Sequence, residues 1–241
     1  MREIGIENAI LLALMSPDRN EAATSEFLRF VIVEADQPSE RHVTDPRAWT
    51  VQERMRAYSH YLAAVSADDD ANFQIGNGRY SDYLLPAREY PREDVLELGE
   101  IDELTWTMRP LLGAEAEAIE SIQHESKIGG RFYWYCGAMA AQLRNNNDGE
   151  CPSAITNWTE YVEWLRPRMA QIRAMAESEY IALLEAWSNG NSQLDHYFSI
   201  DFDGNGALAV PVSEAGTTLG PVRFRARSVC SAIALRLAGK T

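Results

Sequence analysis

The six residues from Asp201 to Gly206 are the stretch of this chain most similar to a metal-binding loop. Asp201, Asp203, Asn205 and Gly206 stand where a calcium loop has its first ligands and its glycine. Calcium takes six to eight oxygen ligands, and such a loop closes with a glutamate at its twelfth position, which here is Val212. Because Asp, Asn and Gly also favour tight turns, we predict a hairpin turn without a metal. The alternative is a calcium- or ligand-binding module at this turn.

The histidines are the other residues that could do chemistry. They are His42, His60, His124 and His196. None has the His-x-His, His-x-x-x-His or His-Glu-x-x-His spacing of a zinc site, and neither a Gly-x-Ser-x-Gly motif nor a phosphate-binding loop is present. His124, Glu125 and Lys127 could form an acid–base set, but a solvated helix end explains them better. We therefore predict no catalytic residue, cofactor or metal; the alternative is an enzyme with a site of scattered carboxylates and histidines.

The charge of the chain restricts its partners. Its 241 residues carry 36 acidic and 22 basic side chains, a formal net charge of −14. Such a surface is unsuited to nucleic acid, whose phosphates need basic residues. Residues 215–241 differ from the rest, with five basic side chains and no acidic one. We therefore predict no nucleic-acid partner, and a basic segment that contacts either the acidic remainder of the chain or an acidic partner.

The cysteines and the apolar runs bear on where the protein acts. Cys136, Cys151 and Cys230 are odd in number and far apart, which favours reduced thiols in a cytoplasm over disulfides. The apolar run 9–15 is short and follows acidic residues, unlike a signal peptide. No stretch has the length needed to span a bilayer. The sequence thus predicts an intracellular protein without a membrane partner.

Residues 66–94 form the least regular segment, in which glycines, prolines and aromatic residues alternate with polar ones. Loops of this length either serve a function or are packed down by their own side chains. Both interpretations stay open here. In the functional one, Phe73, Tyr80 and Tyr83 contact a partner protein.

Hydrophobic spacing predicts the elements of the first half of the chain. Residues 6–15 are predicted as a short, mostly buried helix, and residues 27–33 as a buried strand because they are β-branched and aromatic. Thr50 and Glu53 have capping-box spacing and should start another helix. Residues 104–109 alternate as a strand does. The helix that follows, at 114–123, carries glutamates suited to a helix N-terminus.

A further helix is predicted after Gly129-Gly130, and the longest one from 156 to 188. The inward stripe of the first is Phe132, Tyr135, Cys136, Met139 and Leu143. In the second, apolar residues recur at steps of three and four over the whole length, so Pro167 predicts a kink rather than a break. Four residues of this long helix are expected to be buried: Trp158, Leu165, Ile172 and Leu184. Asn189-Gly190 should cap its end.

After Gly190 the spacing changes to that of strands. A three-residue loop at 204–206 would place Phe202 opposite Leu208, with all large side chains on one face. The alternating residues 222–226 predict a third strand, followed by a helix at 228–238. Three arginines of this region would share one face, directed at solvent or at an acidic partner: Arg223, Arg225 and Arg227.

Together these elements predict an α+β fold. We expect a helix-dominated single domain with a small antiparallel sheet and the long kinked helix at its centre. Residues 1–190 would form a helix-rich body, and residues 191–241 a hairpin, a third strand and a C-terminal helix packed on that body.

Two regions also resemble a known group of proteins. One is RMRAYSHYLAAVS with FQIGNGRYSDYL, residues 54–66 and 73–84; the other is DELTWTMRPLLGAEAEAIESI, residues 102–122, a strand ending in Arg-Pro before an acidic helix. They resemble small acidic proteins encoded in the tail-module region of tailed bacteriophages, namely tail-assembly chaperones and minor tail or baseplate components. The resemblance covers a minor part of the chain and includes no catalytic or metal motif.

The resemblance implies a non-enzymatic role through protein–protein contacts. The partners would be other tail or baseplate proteins, or further copies of this chain. Either the protein would bind tail proteins in the host cytoplasm before assembly, or it would remain in the virion tail as a connector. The lack of an active-site motif and the aromatic residues of the 66–94 segment agree with this role.

Overall fold

A computed structural model describes residues 1–33, 45–65, 71–86, 95–126, 129–212, 219–224 and 232–239 of the chain. The helices are α1 (Ile6–Leu14), α2 (Asn20–Val31), α3 (Val51–Val65), α4 (Gly113–Ser126), α5 (Arg131–Gln142), α6 (Trp158–Arg173), α7 (Glu177–Leu194) and α8 (Ala232–Leu237). The strands are β1 (Gln74–Ile75), β2 (Gly78–Arg79), β3 (Leu96–Ile101), β4 (Leu104–Met108), β5 (Leu143–Asn145), β6 (Ser199–Asp203) and β7 (Gly206–Val210). Helices dominate and the strand pairs are antiparallel. The predicted α+β class in a single domain is confirmed.

The three-stranded sheet has the order β3-β4-β5. Asp102 and Glu103 join its first two strands, with φ angles of 51° and 63°, the left-handed pair that a tight hairpin turn requires. β5 follows α5 directly and pairs with β4, so the sheet covers the end of that helix. The predicted strand at 104–109 and the helices beginning near residues 6, 51, 114 and 131 are confirmed.

The predicted strand at 27–33 is wrong, because residues 27–31 form the end of α2. Ala23, Phe27 and Val31 are all buried, and their spacing of four is that of a helix face. Phe27 packs against Tyr58 and Tyr61 of α3, with 4.9 Å between ring centroids in both pairs. The β-branched and aromatic residues therefore serve helix packing, since tertiary contacts override intrinsic propensity.

The predicted helix from 156 to 188 is two helices, and the break is not at Pro167. α6 continues through this proline. Both Pro167 and Glu163 are exposed, so the carbonyl that the proline leaves without a partner faces water. The helix ends at Arg173, and α7 starts after Ala176, whose amide donates to Glu179 Oε2 at 3.3 Å. An acidic first turn therefore starts a new helix.

The predicted cap at Asn189-Gly190 is also wrong, since α7 runs through both residues to Leu194. Gly190 instead allows the helix to approach the sheet. A Cβ at this position would lie 2.6 Å from Met108 Sδ and 3.0 Å from Leu98 Cδ2. The boundary predicted at residue 190 consequently falls inside a helix. Of the four residues expected to be buried, Leu165 and Ile172 are 0% and 6% exposed, whereas Trp158 and Leu184 are partly buried.

The phase predicted for α5 is partly wrong. Cys136 and Met139 are buried as expected, but Phe132 is 54% exposed and Trp134 is 0% exposed. Trp134 stacks on Phe202 of β6, with ring centroids 5.9 Å apart and planes 8° apart. The hairpin therefore packs directly on α5, and this contact selects the buried face of the helix.

The β6–β7 hairpin has a two-residue turn, so the predicted three-residue loop is wrong. Asp203 pairs with Gly206, and Phe202 with Ala207. Because Phe202 and Trp134 already fill the inner side, only small side chains fit opposite them, and Ala207 is 1% exposed. The predicted third strand is reduced, within the described residues, to a bridge between Val222 and Ala209 of β7.

None of the helices among the described residues combines the length and the hydropathy that crossing a bilayer requires.

Candidate functional site

A buried cluster of charged residues joins α2, α3 and α4. Arg54 is 1% exposed; its Nη2 donates to the Glu21 backbone oxygen at 2.5 Å, and its Nη1 lies 3.5 Å from Glu21 Oε2. Glu117 accepts a hydrogen bond from Ser25 Oγ. Gly113 leaves room for the arginine, since a Cβ there would lie 2.5 Å from Arg54 Nη1. One guanidinium group thus compensates carboxylates from two helices.

A fourth member of this cluster, Glu120 of α4, caps α2. Its Oε1 accepts the amide of Glu21 at 2.8 Å, and its Oε2 accepts the amide of Ala22 at 3.1 Å. These amides have no partner within the helix, and Arg19 at the N-cap position makes no side-chain capping bond. Glu120 therefore supplies from another helix the acceptor that a capping residue normally provides.

Burial and the neighbouring Glu21 carboxylate raise the pKa of Glu120 to about 8, against the two amides and Arg19, which favour the charged form. Burial likewise raises the pKa of Glu117, while Arg54 and the Ser25 hydroxyl act in the opposite direction. The carboxyls of Glu117 and Glu120 therefore keep their protons in the folded protein at pH values at which the unfolded chain has already released them. The contribution of these protonated carboxyls to the free energy of unfolding is complete below a pH near 4.5, the ordinary pKa of a glutamate. It is lost as the pH rises toward 8.

We expect the free energy of unfolding to fall between pH 5 and pH 9, and Glu120→Gln to reduce that fall. Each unit of raised pKa corresponds to about 1.4 kcal/mol, so the difference between wild type and variant should reach a few kcal/mol across this range. Urea unfolding at one-unit pH steps measures it. Glu125→Gln, on the exposed side of the same helix, should follow the wild type. An equal fall in Glu120→Gln and wild type would assign the pH dependence to other groups.

Beside this cluster the surface contains a cleft of about 390 Å³. Asp18, Glu120, Gln123 and His124 line it together with the glycines of two turns. His124 Nδ1 lies 2.8 Å from Asp18 Oδ2. The Ser16 hydroxyl and His124 lower the pKa of Asp18, so this carboxyl is ionised at neutral pH. Two titratable groups with shifted pKa values therefore meet in the cleft, one at its mouth and one in its buried wall.

The turn that resembles a calcium loop has its carboxylates engaged by protein groups. Asp201 lies 2.6 Å from Arg131 Nη2 and accepts the Tyr135 hydroxyl at 2.6 Å. Asp203 accepts the Asn205 amide at 2.7 Å and pairs with Arg223. Across the described ranges, no three His, Cys, Asp or Glu side chains are grouped to hold a metal ion. The arrangement is that of a hairpin tied to α5.

The histidines do not converge where the structure describes them. His124 lies at the cleft, on the exposed end of α4. His60 is exposed on α3, and the His196 amide donates to Gln52 Oε1 at 2.9 Å. His42 lies outside the described residues.

Of the aromatic residues predicted to bind a partner, two are buried. Tyr80 and Tyr83 are 8% and 1% exposed, and Phe73 stacks on Tyr80 with 5.1 Å between ring centroids. Tyr80 also lies against Phe198 and Phe224, at 6.1 Å and 6.5 Å. The segment is therefore packed down by its own rings, and the partner-binding prediction does not hold for Tyr80 and Tyr83. Phe73 is partly buried.

The predicted arginine face is not formed by Arg223. Its side chain is 7% exposed; it pairs with Asp203 and donates to the Gly206 backbone oxygen at 3.1 Å. The basic segment thus folds back on its own chain at this residue, because Phe224 beside it packs against Phe198. Arg225 and Arg227 lie outside the described residues.

The first apolar surface that the sequence prediction missed is on α1. Seven of the nine residues of α1 are apolar, but its buried residues are Ala9, Leu12 and Ala13. The prediction of a mostly buried helix is therefore wrong for three of its five larger apolar side chains, which face outward. Helix α8, which packs against α1, adds another. These four residues form the α1 patch, with exposed fractions of 45% or more: Ile6, Leu11, Leu14 and Leu237. Exposed apolar residues that cluster in this way are typical of interaction surfaces.

A second apolar surface lies where α5 and α7 begin. Phe132 is 54% exposed and Ile181 45% exposed, and the ring of Tyr180 lies 5.6 Å from that of Phe132. We call these three residues the Phe132 patch. Burial raises the pKa of the Tyr180 hydroxyl to about 12, so the patch is uncharged at neutral pH.

The spacing of residues in the sequence bears on the apolar surface of α1 but did not indicate the buried charged cluster of α2, α3 and α4. In α1, apolar residues at almost every position predicted a mostly buried helix, and the exposure of Ile6, Leu11 and Leu14 is therefore the feature that points to a contact surface. The glutamates of α4 were predicted to suit a helix N-terminus, and Glu115 does so, since its Oε2 accepts the Leu112 amide at 3.0 Å. The burial of Glu115, Glu117 and Glu120 was not predicted. The groups that compensate them, namely Arg109, Arg54 and the first amides of α2, come from other elements.

No family model matches the chain, and comparison with curated proteins and with solved structures finds no match.

Proposed function

We propose that this protein is a non-enzymatic structural or assembly protein of a tailed-phage tail module, acting through protein–protein contacts in the host cytoplasm. The observation that carries the proposal is the α1 patch, where Ile6, Leu11 and Leu14 of α1 are each more than half exposed, while Leu12 and two alanines of the same helix face the core. The Phe132 patch supports it, because it belongs to other elements and offers a second contact area. The phage assignment rests on the sequence resemblance alone.

The cleft at Asp18 favours a second candidate, an enzyme with an acid–base site. Its residues fit catalysis less well than binding. Both oxygens of Glu120 accept backbone amides, and the described lining contains no serine, cysteine or lysine that could act as a nucleophile.

If this role is right, substitutions in the α1 patch should weaken association with the partner without unfolding the protein. Tagged protein purified from infected cells should carry tail or baseplate proteins encoded by the same phage, identified by mass spectrometry. Leu11→Ser combined with Leu14→Ser should reduce the recovered partner about tenfold or more, since loss of apolar anchors in an interface costs 1–2 kcal/mol each or more.

Glu7→Ser, on the same helix and also exposed, is the matched control and should leave recovery unchanged. The melting temperature of the double variant should stay within about 2 °C of wild type, because exposed substitutions cost little. Full recovery of the partner with the double variant would exclude the α1 patch. Recovery of no tail or baseplate protein by the wild type would contradict the assigned role.

A further inference from the structure

The cleft at Asp18 is built by three separate parts of the chain. Asp18 precedes α2, and Glu120, Gln123 and His124 belong to the second half of α4. The β6–β7 turn completes the wall with Gly204 and Asn205, opposite Gly129. Its volume of about 390 Å³ lies within the range of small-ligand sites.

Hydrogen bonds between these parts hold the cleft open. Gln123 Nε2 donates to the Gly204 backbone oxygen at 2.8 Å, which fixes the turn to α4. Asn20 Nδ2 donates to the Asn205 backbone oxygen at 3.2 Å, which fixes it to α2. The Asp18–His124 contact joins the remaining two walls. A ligand therefore meets a preformed site, and binding costs little reorganisation.

The groups presented to a ligand are mainly acceptors. Asp18 offers an ionised carboxylate at the mouth, half exposed with 49% of its side chain accessible, and its oxygens also contact the Ser16 hydroxyl and His124 Nδ1. Glu120 lies in the wall with 2% of its side chain accessible, and each of its oxygens, which accepts one backbone amide, has a further lone pair. The backbone oxygens of Gly204 and Asn205 likewise retain a second lone pair each. None of the described lining residues is a lysine or an arginine. Arg19 reaches Glu120 Oε2 from the side of α2, at 3.4 Å.

We propose that this cleft binds a primary ammonium or guanidinium group. Such a group supplies three or more N–H donors and one positive charge, which match the acceptors and the carboxylates of the walls. The group could belong to a small free amine or to a lysine or arginine side chain of a partner protein. The inference does not depend on the proposed phage role or on the α1 patch.

Binding of a cation should release a proton from the protein. The charged and titratable groups around Glu120 are Glu21 and Arg19 at the start of α2 and Asp18 and His124 at the cleft. The Glu21 carboxylate opposes the ionisation of Glu120, and Arg19 favours it. A bound positive charge favours the ionised carboxyl. The bound state therefore holds fewer protons at neutral pH.

Isothermal titration calorimetry with agmatine, which carries one guanidinium and one ammonium group, tests this at low salt and pH 7. We expect saturable binding at one site, and an apparent enthalpy that changes with the ionisation enthalpy of the buffer. Asp18→Asn and Glu120→Gln should each weaken binding at least tenfold, and Glu120→Gln should abolish the buffer dependence. Asp102→Asn, an exposed carboxylate in the β3–β4 turn, is the control and should bind as wild type does.

A peptide with a single arginine between alanines separates the two sources of the cation. Tighter binding of the peptide than of agmatine assigns the site to a protein side chain, and the reverse assigns it to a free amine. The absence of saturable binding by both probes would overturn the proposal. So would equal binding by wild type, Asp18→Asn and Glu120→Gln, since the net charge of −14 would then explain the attraction.

Discussion

Replacement of Arg54 by methionine is expected to lower the free energy of unfolding by about 3–5 kcal/mol, the usual cost of removing one partner from a buried ion pair. The methionine side chain fills much of the volume of the arginine. The loss of stability would therefore come from the missing charge and not from a cavity. Glu21 and Glu117 would keep their buried positions without the guanidinium group that now compensates them. Chemical unfolding at pH 7 measures the effect.

Two comparisons distinguish this cause from general damage. Arg29→Met removes an exposed arginine paired with Glu26 and should cost less than about 1 kcal/mol. The loss in Arg54→Met should shrink at pH 5, because the carboxyls left behind can then take up protons. A loss of the same size at pH 5 and pH 9 would show that Arg54 stabilises the fold by packing and not by charge.

Replacement of Leu165 by alanine is expected to cost about 2–5 kcal/mol, the range for large-to-small changes in packed cores. Leu165 is 0% exposed on the inner face of α6, and this helix packs against α4 and α5. The void would therefore lie between three helices that other contacts already hold in place, and they could not collapse into it. Thermal and urea unfolding should both show the loss.

Gln171→Ala is the matched control on the same helix, because Gln171 is exposed. It should remain within about 0.5 kcal/mol of wild type. A loss below 1 kcal/mol in Leu165→Ala would mean that α6 adjusts to the smaller side chain, and that the core is less tightly packed there than its burial indicates.

The two substitutions test different kinds of interaction in one core. Leu165 contributes through apolar area and packing, which the sequence already indicated from its position on a hydrophobic stripe. Arg54 contributes through a charge that is unfavourable to bury alone and favourable only with Glu21 and Glu117 in place. Such a cluster favours one arrangement of α2, α3 and α4 over alternatives of similar hydrophobic burial.

Local chemistry was sufficient wherever an element is defined by its own residues. The Thr50–Glu53 capping box closes as expected, with the Thr50 amide 2.7 Å from Glu53 Oε2 and the Glu53 amide 3.2 Å from Thr50 Oγ1. The alternation at 104–109 gave β4, and the buried positions of Leu165 and Ile172 followed from helical spacing. These features depend on neighbours within four residues, and such neighbours are visible in a sequence.

Tertiary structure alone decided the features that depend on residues distant in the chain. Phe27 lies in a helix because Tyr58 and Tyr61 pack against it, and the β6–β7 register follows from the space that Trp134 leaves. The burial of Glu117 and Glu120 in α4 was not predicted, because the groups that compensate them, Arg54 and the first amides of α2, are many residues away. The cleft has the same origin, since its walls come from three separate segments. The sequence by itself thus determined the α+β class and most helices, whereas burial of charge, strand register and the candidate site required the fold, because each is a property of surfaces that meet only after the chain has folded.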